Sequence, residues 1–216
     1  MFIHPWDAAV DEAEWRSWLA TTDHFGVLAV TNLDPSGAPV LVPTHFTLVG
    51  DEVLVHLARP NPVWRHLEAA SLVRLAVYGA YAYIPGYWRA RPDQPADEGV
   101  PTSYYAAVQF ECRPTIVDDP DAKSELLVAQ LGDFQPEGQH APVGPAEVPY
   151  GRMLSGIRGL RLEIVGIEAK FKYDDHKPLE QRARVTEALE GRGRGLDAAT
   201  AAQQRRRASA LGEWRA

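Results

Sequence analysis

Residues 25–58, FGVLAVTNLDPSGAPVLVPTHFTLVGDEVLVHLA, decide the fold class. Three apolar, β-branched runs (25–31, 39–49 and 53–58) are separated by Asp34-Pro35-Ser36-Gly37 and by Gly50-Asp51, both of them turn-forming. Connections this short join neighbouring antiparallel strands, whereas a parallel crossover needs a dozen residues or more. The stretch therefore predicts an antiparallel meander. Upstream, Trp15, Trp18 and Leu19 recur at helical spacing over the first 20 residues, with Asp7 as the expected N-cap. Downstream, 60–70 (PNPVWRHLEAA) predicts a short helix that Asn61 caps, with Pro62 at its first position.

The pattern continues with strands at 71–78, 80–84 and 104–117, where Pro114 argues for an edge or a bulge. A helix at 120–131 starts at Asp119 or Pro120, a Gly/Pro-rich loop covers 132–151, a long strand is expected at 157–172 and a helix at 178–190. Six or seven short strands on meanders, with a few small helices, predict a mainly β (α+β) barrel with peripheral helices. The expected organisation is one domain over 1–190, followed by an Arg/Ala-rich stretch, 191–216, that is either a mobile tail or an exposed helix.

Composition narrows the function classes. The chain has 216 residues, 45% of them hydrophobic, enough for one sizeable core. Its net charge of −7 argues against an overall basic nucleic-acid-binding surface. The single cysteine, Cys112, excludes both an intrachain disulfide and a cysteine-based zinc framework. No apolar run approaches the ~20 residues that span a bilayer, and the acidic N-terminus lacks the layout of a signal peptide. A cytoplasmic protein without membrane contact is expected. Neither a GxGxxG nor a GxxxxGK[ST] element is present.

Several segments carry candidate chemistry. In His56-Leu57-Ala58-Arg59-Pro60-Asn61 a strand end runs into a helix N-terminus, where backbone amides and the helix dipole favour a phosphate. Arg59 can add a bidentate contact, with His56 and Asn61 as further donors. The alternative is a capped helix with a surface arginine. Tyr81, Tyr83, Tyr87 and Trp88 either wall a planar ligand or belong to core or interface. Thr44 and His45 lie on the second strand, Thr102 and Ser103 follow the loop, and Lys170 and Lys172 share one face at strand period.

Together, MFIHP (1–5), PTHF (43–46), HLARPNPVW (56–64), GAYAYIPGYW (79–88), VPTSYYAAV (100–108) and IRGLRLEIVGIEAKFK (157–172) resemble the PaiB family of FMN-binding transcriptional regulators, in the family's order and over about residues 1–190. The resemblance implies an FMN-binding split β-barrel in which two chains pair and FMN lies at the homodimer interface. By position, Thr44 and His45 would lie near the flavin ring and ribityl chain, and His56, Ala58, Arg59 and Asn61 would surround the phosphate. Tyr83, Ile84 and the stretch containing Thr102 and Ser103 would close the pocket, with Lys170 and Lys172 approaching the same cleft. The chain departs from the family where VPTWNY becomes VPTSYY, where KxKLSQN becomes KFKYDDH, and where HLPF becomes HFTL. Asp174 and Asp175 in the second of these would repel a phosphate.

Three functions follow. The first is a PaiB-type negative regulator that uses FMN as a sensor. Its one basic feature for DNA is the tail with Arg205-Arg206-Arg207, for which a solvated end is the competing reading. The second is a flavin-dependent oxidoreductase or flavin reductase using a nicotinamide cofactor, NAD(P)H. The third is a haem-binding or cofactor-less relative, with His4, His24, His45, His56, His66, His140 and His176 as candidate axial ligands.

Overall fold

A computed structural model describes residues 1–91 and 93–213. Its strands are β1 (Phe25–Val30), β2 (Val40–His45), β3 (Thr47–Val49), β4 (Glu52–Ala58), β5 (Val73–Ile84), β6 (Thr102–Val117) and β7 (Ile157–Lys172). Its helices are α1 (Glu12–Leu19), α2 (Trp64–Ala69), α3 (Gly86–Arg89), α4 (Pro120–Phe134), α5 (Tyr150–Met153), α6 (Leu179–Arg192) and α7 (Asp197–Leu211). Among the described residues the strands form one antiparallel sheet in the order β2-β1-β5-β6-β7-β4-β3. This is the mainly β (α+β) split barrel with peripheral helices that the sequence predicts.

The predicted second strand, 39–49, is in fact two. β2 pairs with β1 in the register Gly26↔Thr44 to Val30↔Val40, whereas β3 pairs with β4 through Thr47↔Leu54. Between them stands Phe46, whose side chain has no exposed surface and whose amide donates to the His24 carbonyl at 2.9 Å. The two edges of the sheet are thus consecutive in the chain, one residue apart. Two edges joined by one residue oblige the sheet to curl towards closure. The predicted break between 71–78 and 80–84 is only a local kink: β5 runs through it with Ala80 at φ +50°. Pro114 falls within β6, an internal strand. Arg74, beside the start of β5, reaches Gln109 and Glu111, so Pro114 lies past the end of β5 and owes it no hydrogen bond.

The chain forms two compact units, each of which draws on the three long strands. The unit made of residues 23–77 and 109–167 carries the complete β4–β7 pairing, from Glu52↔Glu163 to Ala58↔Ile157. Val53, Val55, Phe110 and Cys112 are buried in its core. Burial pushes the Cys112 thiol up to about 12, so it stays protonated at neutral pH.

The other unit comprises 1–22, 78–108 and the chain from 168 onward. Trp15, Trp18 and Leu19 face its core as predicted, but Asp11 caps α1, accepting from the Glu14 amide at 2.9 Å. Asp7 is instead buried in a 3-10 turn that begins at Pro5. Of the two readings of the C-terminal stretch, its described part takes the helical one, and α7 is partly buried: Thr200, Ala201, Gln204 and Arg207 pack against its own unit. The Arg207 guanidinium bonds Asp175, Glu14 (2.7 Å) and the carbonyls of Trp6 and Ala8 (3.1 Å each). Arg182 takes the other Asp175 oxygen at 2.6 Å. A buried ion network needs all its partners, which is why Arg207, in a locally Arg-rich sequence, faces inward here.

Phe46→Ala should cost about 3–5 kcal/mol of stability in denaturant unfolding, the range for deleting a buried aromatic ring, while Leu41→Ala, at a 61% exposed position, should cost under about 0.5 kcal/mol. Asp197, buried at the start of α7, accepts from both sides of the Arg192 guanidinium (2.6 and 2.7 Å), which holds its carboxyl below the usual range. Its contribution is present above the unfolded-state value of about 4 and is lost as pH falls through the lower folded-state value. Unfolding midpoints should therefore show a shallower acid limb in Asp197→Asn than in the parent.

Candidate functional site

β2 ends in Thr44 and His45, and β4 carries His56 outward from the sheet. α4 lies across them, and the chain at 150–157 returns to complete the enclosure. Together these elements line a cavity of about 840 Å³. Its walls are largely apolar, with Leu127, Leu131, Phe134, Met153, Leu154 and Ile157. The polar groups on it are Thr44, His45, His56, Gln130, Tyr150, Arg152 and Ser155. An apolar cleft of this size with a few convergent polar groups is the usual form of a small-molecule site.

The orientation of His56 follows from Gln130, which is buried. The Gln130 amide nitrogen donates to the Leu54 carbonyl (3.3 Å), a group that can only accept. Its oxygen therefore faces His56 Nδ1, at 2.6 Å. A carboxamide oxygen also only accepts, so Nδ1 must carry the proton. In the neutral ring this leaves Nε2 as an acceptor on a residue that lines the cavity. His45 is set by edge contacts with Phe25 (4.8 Å) and Phe134 (5.3 Å). Nearby, His24 donates from Nδ1 to Asp133 at 2.7 Å, which secures the end of α4.

The turn expected to grip a phosphate is largely satisfied within itself. Arg59 donates to the carbonyls of Ser155 (2.8 Å) and Ile157 (3.4 Å) and to Asp118 (3.2 Å). Ala58 offers a carbonyl that already accepts from the Trp64 indole (2.9 Å) and the Asn61 amide (3.0 Å). The Asn61 side chain accepts from the Val63 amide at 3.0 Å and so shapes the entry to α2. Arg59 thus fastens the 155–157 wall of the cavity. It is helped by Lys123, a buried lysine whose ammonium donates to the carbonyls of Leu154 (2.5 Å) and Ile157 (3.4 Å). Desolvation, with the Arg59 charge nearby, lowers the Lys123 pKa. The cation on the cavity with no partner among the described residues is Arg152.

The other six expected residues belong to the other unit and do not line this cavity. Lys172 donates to the Thr102 hydroxyl at 2.9 Å. Lys170 is buried and donates to the Phe2 carbonyl at 2.8 Å. Both ammonium groups lie over the Tyr105 ring, at 5.4 Å (Lys170) and 5.9 Å (Lys172). Ser103 and Tyr83 are exposed, whereas Ile84 is a core side chain with no exposed surface. Asp174 and Asp175 do not present free charge. Asp174 accepts from Arg89 (2.7 and 3.1 Å) and from the Tyr104 hydroxyl (3.0 Å), and Asp175 is held by Arg182 and Arg207. Gln130, Lys123 and Arg152 went unnoticed in the sequence. Only Lys123 carried a signal there, as a lone lysine within an otherwise apolar helical face.

A family model described as "Putative FMN-binding domain" (FMN_bind_2) matches residues 1–165. The chain belongs to this FMN-binding family. Every residue that lines the cavity falls within the match. Solved structures share the fold, two of them as follows. The chain is similar to the flavocytochrome Anf3 from Azotobacter vinelandii, with 16% identity, TM-score 0.59, and coverage of 82% of this chain and 75% of that one. It is also similar to the FAD and heme binding protein from Mycobacterium smegmatis, with 19% identity, TM-score 0.58, and coverage of 76% and 73%. Among curated proteins no sequence relative matches. The cofactor of the FMN-binding family is a flavin, and the cavity fits one: its volume, its apolar walls, the acceptor nitrogen of His56 and the unpartnered Arg152 suit a planar heterocycle bearing an anionic tail.

The His56 ring should show ¹⁵N shifts of the Nδ1–H tautomer in the neutral protein, and Gln130→Leu should bring it to the Nε2–H form that predominates in free imidazoles.

Proposed function

We propose that the chain is a PaiB-type FMN-binding protein that works as a homodimer, with FMN held in the cavity between β2, β4, α4 and the 150–157 segment. The cavity itself carries this reading: it brings Thr44 and His45, expected near the flavin ring and ribityl chain from the resemblance, and His56, expected there at the phosphate, onto one apolar cleft with an unpaired cation. Phe134, Leu127, Leu131 and Met153 would face the ring system, His56 and Thr44 would meet its polar edge and ribityl chain, and Arg152 would meet the phosphate. When bound, FMN supplies one- and two-electron redox chemistry, and the protein fixes its orientation and electrostatic surroundings.

The homodimer is supported by Tyr78, Tyr81, Tyr83 and Tyr87, each more than half exposed in one unit. Aromatic surface of this extent is characteristic of interfaces. A regulatory role rests on the family resemblance. Contact with DNA through the tail finds no support in the arginine triplet: Arg205 pairs with Glu190, Arg206 with Glu14 (2.8 Å), and Arg207 is buried. No helix of the described residues is long and apolar enough to cross a membrane.

Calorimetric titration with FMN and with riboflavin tests the site. Arg152→Gln should weaken FMN about tenfold, roughly 1.4 kcal/mol for one charge-assisted contact, and leave riboflavin unchanged. Arg59→Ala, which frees the cavity wall, should weaken both alike. Failure of the parent protein to bind either ligand would overturn the proposal. Sedimentation should show a dimer. Rapid bleaching of bound flavin by NAD(P)H with turnover would identify a reductase instead of a sensor.

A further inference from the structure

A second cavity, of about 820 Å³, lies in the unit that holds the chain ends, between the first turns of α6 and the segment that follows α3. His176, Lys177 and Arg184, which line it, lie beyond the stretch matched by the FMN-binding family. Two of the residues that line it each carry a buried nitrogen with no hydrogen-bond partner, Arg184 Nε and His176 Nδ1. Such groups are costly to leave unpaired, so both side chains have hydrogen-bonding capacity to spare beside the cavity.

The charges around them show which partner. Arg184 spends one terminal nitrogen on the Ala90 carbonyl (3.2 Å), which fixes its plane and leaves Nε free. The acids on or beside the cavity are mostly occupied: Asp174 by Arg89 at 2.7 Å, Asp93 by Arg91 at 3.6 Å, and Glu98 by the Gln94 amide at 3.2 Å. Lys177 and Arg184 have no carboxylate partner among the described residues. Glu180 also lines the cavity, from the first turn of α6. The first amide of α6, that of Leu179, donates to the Glu213 carboxylate at 3.1 Å, so this helix end is already capped and the binding field comes from the Lys177 and Arg184 side chains. Burial lowers the His176 pKa, with Asp174, Lys177, Arg89 and His4 as the charges that act on it. A neutral imidazole can still donate a hydrogen bond to an oxyanion.

We infer that this cavity is a second ligand site, separate from the flavin cavity, that binds a small molecule through an oxyanion group, a carboxylate or a phosphate, held by Arg184, Lys177 and His176. Pyrophosphate and succinate serve as probes of the two oxyanion classes, titrated calorimetrically into the full-length protein in a Tris-chloride buffer. Saturable binding of at least one is expected, and whichever binds identifies the class. Arg184→Gln and Lys177→Gln, both at half-buried positions, should each weaken that binding at least tenfold, with the folded signal by circular dichroism retained. FMN titration of the same two variants should match the parent. Absence of binding by both probes, or binding that neither substitution weakens, would overturn the inference. Loss of FMN binding in Arg184→Gln would also overturn it, by moving the flavin phosphate into this cavity. Failure of FMN to bind the parent, with probe binding intact, would leave this site standing and remove only the flavin proposal.

Discussion

The connection through Phe46 governs this fold. β2 and β3 belong to opposite edges of a seven-stranded order, yet only one residue separates them. A single residue spans less than 4 Å, so the sheet can satisfy both pairings only by bringing its edges together. Burying the Phe46 ring and using its amide on the His24 carbonyl fix the place where the chain changes edges. The same turn puts Thr44 and His45 at the end of one edge. His56 stands on β4, the strand that pairs with the other edge. The cavity is therefore a product of closure: the polar residues it takes from strands, Thr44, His45 and His56, come from strands that lie far apart in the sheet order.

The meander was legible because turns such as Asp34-Pro35-Ser36-Gly37 act locally, and the long strand at 157–172 was legible because its alternation is uninterrupted. The break at Phe46 was not, since an apolar residue at an apolar-rich position leaves no mark on the pattern. What distinguishes it is the partner each side finds. The helical cap shifted from Asp7 to Asp11 because both are aspartates ahead of the same apolar periodicity, and only the packing of the 3-10 turn decides between them.

Of the residues expected at the site, the cavity gathers Thr44, His45 and His56, and the polar partners around them were not legible. Arg59 reads as a phosphate ligand in HLARPNP because the sequence does not show that the 155–157 carbonyls will return beside it, roughly a hundred positions later. Gln130 looks like an ordinary helical glutamine until the Leu54 carbonyl fixes one end of its amide and thereby the proton on His56. Asp174 and Asp175 looked hostile to an anion because their charge is visible in the sequence, whereas two of their arginine partners are not: Arg89 is 85 positions away from Asp174, and Arg207 lies in a low-complexity stretch. In each case the missing information is long-range and polar, and hydrophobic periodicity says nothing about it.

Arg207 ties a late helix to an early segment. It meets Glu14 across 193 positions of chain and closes on the carbonyls of Trp6 and Ala8 as well. During synthesis the segment around Glu14 must therefore wait for Arg207, 193 positions later, before it finds its guanidinium partner. The interior unit, 23–77 with 109–167, owes nothing to that late contact. Vectorial synthesis thus favours an order of assembly in which the cavity between β2, β4 and α4 is shaped before the segments around Glu14 and Arg207 are fastened together.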